Sequence, residues 1–311
     1  MPNISDIREF NNELFDQLSS NDTSLVKNAE DAVTKFVRTQ VREDGVFRSV
    51  FPMLPVTAAD LTPQLDTDDP VIVLEKEPSS PGAVSVPFMS TPIGWFISGD
   101  KFRVTFNILQ SPRFIGHLSK LRTYRMDIRQ VISDNSLRDV LAQEDSAFFQ
   151  ALNAAMGGVA DGVSPMSGAV QWQTIGGGIS RDSVTEIKKI LPSTSSHLEA
   201  VTAIVNNVTV NDFVKWGRDE TGGDKSQDML VSGKMLENLL GLDWHVTIKR
   251  HLVPDSTVFL MADTGFIGKS FVMEDVTLHI KREAMIVQWY AYEEIGSSIA
   301  NAAGIGRADF N

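Results

Sequence analysis

From Ser136 to Met156 apolar residues recur every three or four positions: Leu137, Val140, Leu141, Phe148, Ala151, Leu152 and Ala155 share one face with Glu144. The pattern predicts a spine helix packed on a sheet, with Glu144 at its rim. Ser136 is the expected N-cap, Asp139 adds a carboxylate near the first-turn amides, and Gly157-Gly158 ends the helix. At ~1.5 Å per residue it is roughly 30 Å long. Glu144 is the one ionisable residue of the stripe, and a carboxylate buried without a partner costs several kcal/mol. It calls for a basic residue or backbone amides nearby. A catalytic Glu144 is the competing reading.

Upstream, Asp6 to Ser19 and Ser24 to Arg42 read as amphipathic helices, and Val46 to Thr67 as an extended piece punctuated by Pro52, Pro55 and Pro63 that lies across something else. Asp69 to Gln110 is β-rich. Val71 to Leu74 reads as a strand followed by a turn into Ala83 to Val86, and Trp95 to Ile97 with Phe102 to Phe106 read as a hairpin around Ser98 to Lys101. Such a proline-punctuated excursion has the look of an arm. Leu118 to Ile132 is basic and mixed in pattern.

Downstream of the helix comes a glycine-rich bridge, Gly157 to Gly178, with Val170 to Trp172 as its strand-like part. Helices are expected at Asp182 to Ile190, His197 to Asn206 and Gly233 to Leu240, a short strand at Val208 to Asn211, and a polar loop at Asp219 to Asp228. The alternations around Val246 and Ile248, Val258 and Leu260, Val276 to Ile280, and Met285 to Tyr292 predict strands of a mixed sheet. No internal repeat is visible.

The 311 residues, 42% hydrophobic, suffice for a large core in two lobes. With no cysteine, disulfides and thiolate chemistry are excluded, and stability rests on packing or assembly. The start, Met1-Pro2-Asn3, has no basic and apolar leader pattern, and no apolar run reaches the ~18 residues of a membrane span. The net charge of -12 argues against a wholesale nucleic-acid binder. Its distribution says more. Asp60, Asp66, Asp68, Asp69, Glu75 and Glu77 crowd one stretch, whereas Lys101, Arg103, Arg113, Lys120, Arg122, Arg125, Arg129 and Arg138 crowd another. The two are either solvated faces or complementary surfaces, within a subunit or between neighbours.

Reactive constellations are scarce. Gly176-Gly177-Gly178 lacks the lysine and hydroxyl of a phosphate loop, and the histidines His117, His197, His245, His251 and His279 form no His-Glu-x-x-His helix. Ser232-Gly233-Lys234 has no nucleophile elbow around it. Glu293 and Glu294 are neighbours on a strand and face opposite ways, which makes them poor acid-base partners. Trp95, Phe96, Trp289, Tyr290 and Tyr292 have no interleaved basic residues, so they read as core and interface aromatics.

Three stretches together resemble the major capsid proteins of tailed bacteriophages, with the Hong Kong 97-like fold. They are Leu121 to Val131 running into Asp139 to Leu152, Asp263-Thr264-Gly265-Phe266-Ile267-Gly268, and Lys281 to Ala284 through Tyr292 to Gly296 and on to the end. The resemblance covers most of Ile72 to Phe310 and rests on the order of elements.

The resemblance implies an α+β fold with a long spine helix, an extended β loop, an N-terminal arm, and peripheral and axial domains. It divides the chain into N-terminal helices and arm (1–54), extended loop with its approach (55–110), peripheral domain (111–196), axial domain (197–275) and a C-terminal return to the peripheral domain (276–311). It implies a non-enzymatic shell subunit without cofactors, forming hexamers and pentamers around double-stranded DNA that it contacts without sequence preference. Portal, scaffolding and decoration proteins are further implied partners. The subunit is made in the host cytoplasm and ends in the virion. Intersubunit contacts are expected from Asp66, Asp68, Asp69, Glu75, Glu77, Trp95, Phe96, Lys101, Arg103, Arg113, Arg122, Arg125 and Arg129. An encapsulin-like compartment and, in a different class, a soluble hydrolase using Glu144 or the histidines are the alternatives.

Overall fold

The computed structural model describes residues 45–63, 67, 69–78, 82–88, 91, 94–121, 128–156, 171–194, 196–216 and 238–311. The expected helices of 6–42, the loop at 219–228 and most of the helix expected at 233–240 lie outside them.

The chain enters on a short helix, α1 (Val46–Val50), where an extended segment is expected from the prolines. Five residues cannot hold a helix alone. Burial of Phe47, Val50 and Phe51 holds this one, and the prolines act only after it. Then β1 (Met53–Pro55) runs parallel to β12 (Gly268–Glu283) as an edge strand, the place in a sheet where proline is tolerated. Residues 45–56 therefore form a strap laid over the rest of the molecule.

Strands β2 (Thr62–Pro63), β3 (Pro70–Glu75) and β4 (Lys101–Thr105) make a small antiparallel sheet. The expected hairpin of Trp95–Ile97 with Phe102–Phe106 does not form. Instead β4 pairs with β3, from Val71 opposite Thr105 to Glu75 opposite Lys101. The alternation decides this: Ile72 and Val104 turn to one side and bury against Phe271, while Trp95, Phe96 and Ile97 stay exposed among the described residues.

A five-stranded sheet is built on the long hairpin of β12 and β13 (Ile286–Ile299), with β1 on one side and β5 (Asn107–Gln110) and β6 (Phe114–His117) on the other. After β6 the chain turns through α2 (Leu118–Leu121) into α3 (Ile128–Ala155). At 28 residues, or roughly 42 Å, α3 begins eight residues before the expected start. Ile132 explains the difference, because it packs on the same cluster as Leu137 and Val140 and extends the stripe. Ser136 is no cap. It is buried about two turns inside, its hydroxyl without a partner among the described residues.

The first half of α3 packs Leu137, Val140 and Leu141 against Val276, Leu278, Ile280 and Trp289 of the five-stranded sheet. The second half buries Phe148, Phe149, Leu152 and Met156 in a larger core. Ala151, expected on the buried face, is exposed, and Phe149 and Asp145 are buried instead. The face widens because this half of the helix is covered from two sides.

The larger core lies on a six-stranded sheet with the order β7-β14-β11-β8-β10-β9. Its strands are β7 (Trp172–Ile175), β8 (Thr202–Asn206), β9 (Asn238–Leu239), β10 (Leu242–Thr247), β11 (Thr257–Met261) and β14 (Ile305–Phe310). The short helices α4 (Arg181–Ile187), capped by Ser180, α5 (Val210–Val214) and α6 (Thr264–Ile267) flank it. Two expectations exchange places here. His197–Asn206, expected helical, contains β8, while Val208–Asn211, expected extended, opens α5. A strand covered on both faces shows no alternation, and the run Ala203-Ile204-Val205 is fully buried.

The expected single mixed sheet is two sheets. Its earlier strands, β10 and β11, lie in one and β12 and β13 in the other, and the chain leaves the second for the first to end as β14. Residues 276–311 are thus divided between the sheets, and the expected boundary at 275 falls inside β12.

Gly268, where β12 begins, lies so close to its partner strand that a Cβ there would sit 2.0 Å from the Ser298 carbonyl oxygen. Its φ of 163° is ordinary extended backbone, so the constraint is space alone. Gly268→Ala is expected to part this end of the hairpin and destabilise the subunit by about 1–3 kcal/mol, read as a lower denaturant midpoint at unchanged slope.

Candidate functional site

Two features stand out beyond ordinary packing. The first is a buried ionic cluster where the strap meets α3. Short as it is, α1 brings two groups to the long helix at once. The Phe47 N–H donates to Asp145 Oδ1 at 2.9 Å, and Arg48 reaches across to Glu144. The guanidinium donates through Nε to both Glu144 oxygens at 2.9 and 3.1 Å and through Nη2 to Oε1 at 2.6 Å. Nη2 also donates to Glu293 Oε2 of β13 at 2.6 Å, and Nη1 to Asp275 Oδ1 of β12 at 3.2 Å. One cation thus ties strap, helix and sheet together. Glu144, expected at the rim of the sheet, is buried, as is Glu293, whose Oε1 has no partner among the described residues.

The electrostatics follow from burial. Desolvation raises the Glu293 carboxyl, the neighbouring Glu144 raises it further, and Arg48 offsets only part, so its pKa is pushed up to about 10. Burial works against the Arg48 charge, but its hydrogen bonds to Glu144 and the charges of Glu144, Glu293 and Asp275 outweigh this and raise its pKa. At neutral pH the cluster therefore holds a guanidinium and a neutral Glu293. Both Glu144 oxygens accept hydrogen bonds from Arg48.

Rings and a second ion pair reinforce the strap. The Phe47 ring lies tilted to that of Phe148 with centroids 4.7 Å apart, and the neighbouring Phe149 meets Phe259 of β11 edge-on at 5.2 Å. Lys249 donates to the other oxygen of Asp145 at 2.6 Å. Deeper in the six-stranded sheet, Arg307 lies 4.0 Å from the Trp172 ring centroid, donates to Asp309 at 2.9 Å and reaches Asn153 of α3 at 3.3 Å.

The second feature is an exposed arm. Beyond the end of β3 and before β4, the described residues 82–88 and 94–100 carry no strand. The arm is closed at its base by the Lys76 N–H donating to the Asp100 carbonyl at 2.9 Å. Its apolar side chains stand in solvent: Phe88 is 100% exposed, Phe96 101%, Ile97 90% and Trp95 66%. Large apolar side chains gathered in water mark a surface that another molecule covers.

The charged candidates divide. Glu75 and Lys101 meet at 2.7 Å on the last rung of β3 and β4, so the acidic and basic stretches already touch within one chain. Both are highly exposed, and such a pair adds little. Asp69, Glu77, Arg103 and Arg113 are exposed, and Arg113 sits 5.8 Å from the Tyr290 ring centroid. Asp66, Asp68, Arg122 and Arg125 lie outside the described residues. Arg129 belongs to the first turn of α3.

Sequence reasoning singled out Glu144 but not Arg48, which lies 96 residues away, nor Glu293 as its companion. Alternation on β13 does place Glu293 inward and Glu294 toward the other face. The cation that Glu293 needs lies across the sheet, not along the strand. Among the described residues, no group of three or more His, Asp or Glu could hold a metal ion, and no helix is long and apolar enough to cross a membrane.

No family model and no curated protein matches the sequence. Solved structures do match. The capsid asymmetric unit of cyanophage Pam1 superposes with a TM-score of 0.59 at 11% identity, covering 84% of this chain and 90% of that one. The mature capsid of bacteriophage PhiM1 gives 0.58 at 7% identity, covering 86% and 87%. A virus-like particle from Pyrococcus furiosus gives 0.54 at 12% identity, covering 90% and 98%. At these identities the likeness is one of fold. The chain has the mixed helix and sheet fold of phage capsid subunits, the Hong Kong 97-like fold.

Proposed function

We propose that this chain is the major capsid protein of a tailed bacteriophage, a structural subunit that assembles into an icosahedral shell around double-stranded DNA. The observation that carries the reading is the exposed apolar arm on a subunit with a capsid fold. A shell subunit covers Phe96 and Ile97 with its neighbour. On this reading α3 is the spine helix, residues 55–110 are the extended loop, the five-stranded sheet belongs to the peripheral domain and the six-stranded sheet to the axial domain. Hexamers and pentamers of the chain close the shell by symmetry-related heterologous contacts. Portal, scaffolding and decoration proteins complete it, the subunit is made in the host cytoplasm, and the basic residues Arg103 and Arg113 meet either a neighbour or the packaged DNA.

Sedimentation and negative-stain microscopy of the purified chain test this. Closed particles tens of nanometres wide support it, and a small oligomer overturns it. The likeness to the Pyrococcus furiosus particle supports a second reading, a protein compartment without a genome. Nuclease-protected double-stranded DNA in particles from infected cells selects the first, and its absence selects the second. If the exposed charges Asp69, Glu77, Arg103 and Arg113 meet across subunits, assembly slows as salt rises above ~0.15 M, where the Debye length is about 8 Å. Light-scattering kinetics that stay flat with salt contradict that contact.

A further inference from the structure

The buried cluster holds more carboxyl groups than one guanidinium can balance. Glu144 Oε1 and Glu293 Oε2 both lie 2.6 Å from the same Arg48 nitrogen, so they are within ~5 Å of each other, and Asp275 Oδ1 is 3.2 Å from Nη1. Two carboxylates this close in a dry site do not both ionise. Glu144 takes the bidentate bond, and Glu293 keeps one oxygen without a partner among the described residues. Among the described residues, the cation that bonds these three carboxyl groups is Arg48 of the strap. When the strap lifts, Glu293 meets water and loses its reason to stay neutral.

We propose that the strap 45–56 is a proton-coupled latch: Glu293 carries a proton while Arg48 is seated among Glu144, Asp275 and Glu293, and gives it up when the strap lifts. In that step the O–H bond of the Glu293 carboxylic acid breaks and its proton passes to water. Nothing else is transferred. The raised pKa of Glu293 agrees with this assignment. The sign follows from linkage. The open state binds one proton fewer than the closed state above the ordinary carboxyl range, so rising pH favours opening until about pH 10, where the closed state also loses the proton. Acidification tightens the latch down to the ordinary carboxyl range, where the open state also takes up the proton.

Other titratable groups border the strap and fix the useful window. His245 of β10 lies 3.4 Å from the Ser49 hydroxyl, Lys249 and Asp145 hold the Phe47 end, and Tyr292, bonded to Glu274, sits with Glu294 on the other face of the hairpin. A range of about pH 7.5 to 9 lies above the ordinary histidine value and below those of lysine and tyrosine.

Hydrogen exchange of the peptide 45–56, read by mass spectrometry on the whole chain, tests the proposal. It contains the Phe47 N–H bonded to Asp145 and the Val56 N–H bonded to the Val272 carbonyl, both released only when the strap leaves. After correction for intrinsic base catalysis, the opening constant rises about tenfold per pH unit in the wild type and stays flat in Glu293→Gln. A flat wild type, or a slope that survives in Glu293→Gln, overturns the proposal. An infrared band of a buried protonated carboxylic acid at neutral pH supports it without any variant, and absence of that band overturns it.

Discussion

Replacing Trp95, Phe96 and Ile97 together by serine is expected to abolish closed particles while leaving the subunit folded. All three are exposed and none joins a hydrophobic cluster of the described residues, so their loss costs the monomer little, within about ±0.5 kcal/mol each. Covering such a side chain is worth about 1.5–3 kcal/mol, and a shell repeats the contact at every subunit. The substitutions stop short of Lys101 for a reason. Val104 is buried against Ile72 and Phe271, so a cut that removes β4 damages the fold and confuses the outcome. Circular dichroism and melting, read beside the sedimentation profile, decide. An unfolded variant makes the arm core, and a variant that still builds normal shells makes it decoration. Either result sinks the assembly role of this segment.

Arg48→Ala is expected to destabilise the subunit by about 3–5 kcal/mol, the usual consequence of leaving buried carboxyl groups without their cation. The loss depends on pH in a definite direction. In the variant Glu293 loses the one charge that offsets its burial and stays neutral, so the native state holds more protons than the unfolded one. Stability then falls as pH rises from the ordinary carboxyl range, and recovers toward acid. Arg48→Lys retains the charge but not the planar fork that serves Glu144 and Glu293 together, and recovers only part. The triple change Arg48→Met, Glu144→Met, Glu293→Leu removes both signs and is expected to restore most of the stability. Denaturant titrations between about pH 5 and 8 give all of these values. A neutral Arg48→Ala would mean that the strap is not held by this cluster.

What the chain reveals before folding depends on how local the cause is. The stripe Leu137, Val140, Leu141, Phe148 and Leu152 reports one helix, and Glu144 within it reports a buried charge that needs a partner. The identity of that partner is not local. Arg48 sits in a five-residue helix too short to show a period, and it reaches Glu144 only because Phe47 and Phe51 dock on Phe148. Ser136 resembles a cap and hides the true start of α3, because Ile132 continues the stripe upstream of it. The strand at Thr202–Asn206 was hidden by burial on both faces. The hairpin expected at Trp95 has good turn chemistry, but its apolar residues stay exposed among the described residues, and β4 pairs with the strand that shares its core.

The most direct measurement is a cryo-electron microscopy map of the particles that this chain forms. The account predicts a closed shell in which residues 94–97 are buried against a neighbouring subunit while Arg48 remains seated on Glu144 within its own. A chain that stays a small oligomer, or a shell in which Phe96 and Ile97 face solvent, contradicts it.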